Sequence, residues 1–389
     1  MNVLKNIGKI IIFLAVVGAT LYFSVFVLIG ASWSGLFIGF EFVPMIVYVP
    51  AVLGIWLTVL SALAFRESLK KIGLTTLAFV LAFVAIVAFG VGRDFYNKKM
   101  TISEEIDTTV YAPFSGNKKL AKLDELASLK LEGDLPRLDG ATALYPVYSA
   151  FAEAVYPEKE YNTYASEIMC NNTVYAYENL INGDVDIIFV AGPSVEQKER
   201  AKNLGVDLHL TPIGNEAFVF FVNKSNKVSS LSLDEIKGIY KGDIINWKEV
   251  GGKDRDIIAY QRNENSGSQT MFLNLMQGVD IKQPPVNQEV DGMGGIIERA
   301  ADYKNADNAI GFSFLYYATQ MKANNKIKTL AINGVAPNKE TIRNKDYPFT
   351  GTFYAITNGK PTGNVKLFID WILSEQGQEL IEKTGYVGL

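Results

Sequence analysis

Apolar and polar positions divide the chain into two parts of different character. The first 92 residues contain three long apolar runs without Asp, Glu, Lys or Arg, and none of them has the polar face of a helix that packs on a water-soluble core. At a rise of about 1.5 Å per residue, about 20 helical residues cover a hydrocarbon layer of about 30 Å. The pattern therefore predicts a membrane anchor in residues 1–92, with three transmembrane helices at 10–29, 42–65 and 72–91.

Basic residues near these runs predict the orientation of the anchor. Lys5 and Lys9 precede the first run, and three further basic residues separate the second run from the third, whereas the loop at 31–41 has no Lys or Arg. Positive charge stays on the cytoplasmic side of a membrane. We therefore expect a multi-pass protein of the cytoplasmic membrane whose N-terminus lies inside and whose larger, C-terminal part faces outside.

The second part of the chain has the pattern of a folded α/β domain. Residues 93–133 are mixed and polar, as in a tether, and from residue 134 onward short β-branched runs alternate with helical periodicities, which indicates an α/β fold. Ser194 with Gln197 and Ser232 with Glu235 have the spacing of capping boxes and predict two helix starts. Strands are predicted at 135–138, 185–190, 218–222, 257–260, 310–314 and 352–356.

Composition excludes several classes of function. Lys+Arg 37 against Asp+Glu 41 leaves a net charge of -4, so the chain lacks the basic field that holds nucleic acid. Cys170 and His209 are the single cysteine and the single histidine, which excludes a disulfide framework within the chain and a Cys/His zinc cluster. The sequence also lacks a P-loop motif, so any ATPase is a separate chain. We expect neither a metal nor a cofactor.

One arrangement recurs in the domain, namely a strand, a short turn of small polar residues and a helix. It occurs at 140–142, 171–173 and 266–268, and helix N-termini of this kind attract anions, although each motif alone is also explained by ordinary capping. Arg262 lies four residues before Ser266 and adds a guanidinium that can bind two oxygens of a tetrahedral anion. Glu264 could hold this arginine in place.

Five motifs together resemble a known family, the phosphate-binding proteins of ABC importers (PstS-like). The resemblance runs from about residue 135 to the C-terminus and implies a two-lobed, type II periplasmic-binding-protein fold. Its lobes would be 134–215 with 312–389, and 216–311, and the chain would cross between them near 214–218 and 310–314. The motifs are Asp139-Gly140-Ala141-Thr142, the segment 233–252, Arg262-x-Glu264-x-Ser266-Gly267-Ser268, Ala309-Ile310-Gly311-Phe312 and Thr384-Gly385-Tyr386-Val387.

The resemblance also implies a function and a set of ligand residues. It implies a solute-binding protein, not an enzyme, that captures inorganic phosphate or a similar oxyanion and delivers it to an ABC permease in the membrane. Glu264 would support Arg262 from behind. The residues expected to bind the anion are Thr142, Ala143, Asn172, Thr173, Arg262, Ser266, Gly267 and Ser268.

One departure from the family leaves the identity of the anion open. The family has a carboxylate after the strand at 185–190 that accepts the proton of bound phosphate, but this chain reads Ala191-Gly192-Pro193-Ser194 there. Such a carboxylate repels a fully ionised oxyanion, so its loss changes which anions can enter.

Two other functions remain as alternatives at this point. A membrane-anchored anion sensor would use the same outer domain, but nothing inside the cell is long enough to be a signalling output domain. An extracellular enzyme that acts on phosphoesters would need a metal site or an activated nucleophile, and the sequence offers neither.

Overall fold

The computed structural model describes residues 106–116, 119–284, 288–290, 292–302 and 308–389, all within one compact unit, Ser103–Leu389. Its strands are β1 (Leu138–Gly140), β2 (Ile187–Ala191), β3 (Leu208–Asn223), β4 (Ser230–Leu231), β5 (Ile258–Ala259), β6 (Gln261–Arg262), β7 (Glu289–Val290), β8 (Ala309–Phe314), β9 (Ile327–Thr329), β10 (Ala331–Ile332) and β11 (Thr350–Asn358). Its α-helices are α1 (Tyr145–Val155), α2 (Asn172–Asn182), α3 (Val195–Asn203), α4 (Leu233–Lys241), α5 (Gly267–Leu275), α6 (Met293–Ala301), α7 (Lys339–Arg343), α8 (Gly363–Ile372) and α9 (Glu375–Thr384).

Local sequence explains where several of these helices begin and end. Both predicted capping boxes are confirmed, because Ser194 and Gln197 exchange hydrogen bonds at the start of α3, and Ser232 and Glu235 do so at the start of α4. Helix α4 ends at Gly242, whose φ of 87° is a left-handed conformation that glycine adopts without strain.

The main sheet passes through both halves of the domain. Its strand order is β1-β2-β11-β3-β8-β5, and β9 pairs with the C-terminal end of β3 on the side opposite β8. Strand β3 has 16 residues, of which Leu208 to Ala217 pair with β11 and the remainder pairs with β8 and β9. One long strand therefore belongs to two sub-sheets and connects two lobes.

Each lobe has its own hydrophobic core. In the first, Tyr148 stacks on Phe189 with ring centroids 4.9 Å apart, and α1, α2, α8 and α9 pack around β1 and β2. In the second, Phe272 stacks on Phe312 at 4.6 Å, among residues of α4, α5, α6 and the C-terminal half of β3. A fully buried Phe contributes roughly 1.5–3 kcal/mol. The mixed α/β, two-lobed fold that the resemblance implies is confirmed.

The chain returns to the first lobe later than the expected crossing near 310–314. Phe312 and Phe314 pair in register with Phe220 and Phe218, which keeps β8 in the second lobe. Residues 312–349, expected in the first lobe, contribute Phe312 and then Ile342, Tyr347 and Phe349 to the second core. The chain re-enters the first lobe along β11, because that strand pairs with β2 and with the first half of β3.

The segment expected to be a tether packs on the first lobe where the structure describes it. Tyr111, Leu120 and Leu131 are each less than 10% exposed and belong to the first core. Lys122 pairs with Glu153 of α1 at 2.7 Å. A tethering role for residues 93–133 stays a prediction.

The prediction of three membrane-spanning helices requires correction. Within the part of the chain that the structure describes, no helix is long and apolar enough to cross a membrane. Helices α1 and α2, the longest there, have 11 residues each and reach about 16 Å, about half of the hydrocarbon layer. The runs at 10–29, 42–65 and 72–91 lie outside the described residues, so a multi-pass location and a contact with the lipid bilayer are not supported. The fold class that the structure supports is the two-lobed α/β fold.

Candidate functional site

A cleft of about 560 Å³ lies between the two lobes. The first lobe contributes Thr142, Asn172 and Thr173 to its walls. The second lobe contributes Arg262 and the turn Ser266-Gly267-Ser268. The fold therefore brings together all of the expected site residues except Ala143 and Glu264.

The lobes touch each other along one side of this cleft. A Cβ atom placed on Gly267 would lie 2.7 Å from Thr173 Oγ1, so the N-terminus of α5 rests directly against that of α2. Next to this contact, Ser194 Oγ donates to Asn265 Oδ1 at 2.8 Å, and Gln197 Nε2 donates to the Asn265 carbonyl at 3.3 Å. These contacts define a closed arrangement of the lobes.

Arg262 is held at the cleft wall by its own lobe. Its Nε donates to the carbonyl of Val290 at 3.1 Å, and one terminal nitrogen donates to Ser268 Oγ at 3.4 Å. Its backbone N–H donates to Gln269 Oε1 at 3.0 Å, and Gln269 is buried. The sequence analysis did not identify Gln269, which clamps β6 to the start of α5. Glu264, expected to hold Arg262, is exposed and does not line the cleft.

The first turn of α5 gives this wall its anion-binding character. Ser266 is the N-cap residue, and its side chain accepts from the N–H of Gln269 at 3.3 Å. Gly267 and Ser268 follow in the first turn, where backbone N–H groups have no partner within the helix. Since the N-terminus of a helix carries partial positive charge, this turn and Arg262 act in the same direction.

On the first-lobe wall of the cleft, Asn172 and Thr173 have different roles. Asn172 has a φ of 67°, and its Oδ1 accepts from the N–H groups of Val174 at 3.0 Å and Tyr175 at 3.4 Å, so it caps α2. Thr173 is buried, and its hydroxyl lies against Gly267. On this wall Thr173 is therefore the residue whose side chain faces the other lobe.

Ala143 is not among the residues that line the cleft. It is 2% exposed, belongs to the second hydrophobic core, and its carbonyl accepts a hydrogen bond from the Tyr386 hydroxyl. Its methyl group therefore packs in the second core, while its carbonyl bonds to a residue of the first core.

A buried carboxylate that the sequence analysis did not select organises the first wall. Asp139 is fully buried, and Oδ1 accepts from the N–H groups of Gly140 and Asn171, each at 2.8 Å. Its Oδ2 accepts from the side-chain amides of Asn171 at 3.1 Å and Asn179 at 2.8 Å. Burial raises the pKa of Asp139, and these hydrogen bonds partly offset that effect. The carboxylate thereby ties the turn at 140–142 to the turn at 171–173.

Two further polar residues line the cleft, Asn263 and Cys170. Asn263 lines the cleft, and its Oδ1 atom is buried without a hydrogen-bond partner among the described residues. Cys170 also lines the cleft, but burial raises the pKa of its thiol to about 12, which keeps it protonated and unreactive. Within the described ranges no group of three or more His, Cys, Asp or Glu residues could hold a metal ion.

Comparisons with known proteins agree with this geometry. The family described as a PBP superfamily domain matches residues 134–376. The phosphate-binding protein PstS of Bacillus subtilis is 30% identical over 278 residues, which cover 70% of this chain and 84% of that protein. PstS of Borreliella burgdorferi is 28% identical over 186 residues, 46% of this chain and 65% of that protein. A crystal structure from Clostridium perfringens, described as a phosphate ABC transporter substrate-binding protein with bound phosphate, is 27% identical with a TM-score of 0.52, and the match covers 66% of this chain and 100% of that one.

Proposed function

Since the chain belongs to the PstS-like phosphate-binding proteins of the periplasmic-binding-protein superfamily, we propose that it captures inorganic phosphate and delivers it to an ABC importer. Members of this family are substrate-binding proteins and not enzymes. Binding therefore proceeds without covalent chemistry, and the outcome is a closed protein that a permease can recognise.

One observation carries the proposal: a guanidinium and two helix N-termini from different lobes converge on a single cleft. A phosphate ion that enters this cleft loses its water shell. The Arg262 guanidinium, the hydroxyls of Ser266, Ser268 and Thr173, and backbone N–H groups would replace that shell with hydrogen-bond donors already held in place. Because the donors come from both lobes, a bound anion favours the closed arrangement.

The acceptor for a phosphate proton would differ from the carboxylate of the family. Ser194, in the stretch where the family has its acid, donates to Asn265 and joins the two lobes. We propose Asn263 Oδ1 as the acceptor instead, since it is without a partner among the described residues and its residue lines the cleft. A neutral amide oxygen accepts from a P–O–H group without the repulsion that a carboxylate exerts on a fully ionised anion.

A calorimetric titration of the full-length protein with phosphate tests the proposal. Arg262→Ala should cost about 2–5 kcal/mol, or about 30-fold or more in Kd, because it removes the counter-charge of a desolvated anion. Arg255→Ala is the matched control, since Arg255 is exposed, lies outside the cleft and carries the same charge. This control should bind phosphate within about twofold of the unmodified protein, since exposed, distant charges are screened by salt. Undiminished binding by the Arg262 variant would contradict the assignment of the site.

A further inference from the structure

The cleft is much larger than an inorganic phosphate ion. Four oxygens, each with the share of liquid volume of a water molecule, about 30 Å³, occupy about 120 Å³. The cleft measures about 560 Å³, which lies within the range of pockets that hold small organic molecules. Phosphate at Arg262 would leave most of this space unfilled.

The excess volume does not come from lobes that stand apart. Thr173 and Gly267 already touch, and Ser194 already bonds to Asn265. Closing the lobes further at this edge would force the backbone of α5 into the Thr173 side chain. The space is therefore a property of the closed arrangement.

Exposure separates the cleft into an inner and an outer part. Three of the residues expected to bind the anion are deep, since Thr173, Ser266 and Ser268 are all less than 9% exposed. Thr142 and Arg262 are half-buried, and Asn172 is exposed. Tyr164 and Tyr175 also line the cleft, yet they are 62% and 57% exposed, so they stand near its mouth.

A segment that precedes the family domain completes the outer part. The family match begins at residue 134, but Ile106 and Thr108 line the cleft. Thr108 Oγ1 lies 3.4 Å from the Tyr164 hydroxyl, and Ile106 packs against the cores of both lobes. The mouth therefore has a wall that the family domain by itself does not contain.

From this geometry, and resting on the proposed function, we propose that the site also accepts phosphate monoesters. The phosphoryl group would occupy the inner end beside Arg262, and the organic group would lie in the outer part. Tyrosine rings supply a flat apolar surface together with a hydroxyl, which suits a small aromatic or hydroxylated group.

Calorimetry on the full-length protein, with inorganic phosphate and phenyl phosphate as probes and phenol as the control, tests the inference. We expect phenyl phosphate to bind, inorganic phosphate to displace it, and phenol not to bind. Tyr164→Ala and Tyr175→Ala should each weaken phenyl phosphate about threefold to tenfold and leave inorganic phosphate within twofold. Ile245→Ala, which also removes an exposed apolar side chain but outside the cleft, should change neither.

The possible outcomes separate this inference from the proposed function. Binding of inorganic phosphate without binding of phenyl phosphate would overturn the inference and leave the function standing. Phenyl phosphate that binds but is not displaced by phosphate would also overturn it, as would tyrosine variants that weaken both probes equally. Failure of both probes to bind would instead count against the proposed function.

Discussion

Gly267→Ala is the substitution that tests most directly how the two lobes meet. The added Cβ would lie 2.7 Å from Thr173 Oγ1, a distance that real Cβ contacts essentially never show. The next nearest atoms of Thr173 are 3.5 Å away, which is ordinary contact. The clash is therefore with a single oxygen on the opposite lobe, and the substitution should hold the lobes apart without disturbing either hydrophobic core.

The magnitude follows from the cost of adding a methyl group where there is no room. Overpacking costs about 1–3 kcal/mol, and here this cost applies to the closed state that binds the ligand. We therefore expect the Kd for phosphate to rise about 5- to 150-fold. Gly192→Ala is the matched control, because its added Cβ would meet nothing nearer than a Tyr354 ring atom at 4.0 Å, and its affinity should stay within twofold.

A double-mutant cycle measured by calorimetry isolates the clash from other effects. Thr173→Ala removes the offending oxygen, so Gly267→Ala should cost almost nothing in that background. Any affinity for phosphate that Thr173→Ala removes by itself is lost in both the single variant and the double variant, so it cancels in the comparison. If Gly267→Ala costs the same with and without the threonine hydroxyl, then Gly267 and Thr173 do not meet between the lobes, and the large cleft does not belong to a closed arrangement.

Two further substitutions test buried carboxyl groups. Asp139→Asn leaves one acceptor oxygen for four donors, so stability should fall by about 1–3 kcal/mol for each donor left buried without a partner; a thermal melt equal to that of the unmodified protein would contradict this. Glu216 is buried where β3 crosses between the lobes, and burial raises its pKa from 4.5 to about 8. Because the folded state keeps the proton that the unfolded chain loses above pH 4.5, stability should fall by up to about 1.4 kcal/mol per pH unit as the pH rises from 4.5 to 8. Glu216→Gln should remove this contribution, and melting curves between pH 5 and 9 with the same pH dependence in both proteins would show the reasoning to be wrong.

Short-range features of this protein were readable from the sequence. The starts of α3, α4 and α5 follow from Ser194, Ser232 and Ser266, because a capping side chain bonds to a backbone group only three positions away. Strand β2 and the apolar half of β3 follow from short, continuous apolar runs, which are typical of strands buried on both faces. The turn at 266–268 and Arg262 could also be selected from the sequence, because the guanidinium and the hydroxyl and N–H donors of the turn lie within one short segment.

The residues misplaced or missed by sequence reasoning depend on contacts between distant parts of the chain. Ala143 was assigned to the cleft, but its position is set by the second core and by Tyr386 near the C-terminus. The membrane prediction rested on apolar runs alone, and no described helix supports it.

What the amino-acid sequence by itself determined was the family, the α/β alternation and the polar turns that hold hydrogen-bond donors. Tertiary structure alone decided that Asp139 joins two of those turns, that Glu216 is buried between the lobes, and that Tyr164 stands at the mouth of the cleft. The reason is physical. A carboxylate, a tyrosine or a glycine has the same local preferences wherever it stands, and its role is fixed only when folding brings a remote segment against it.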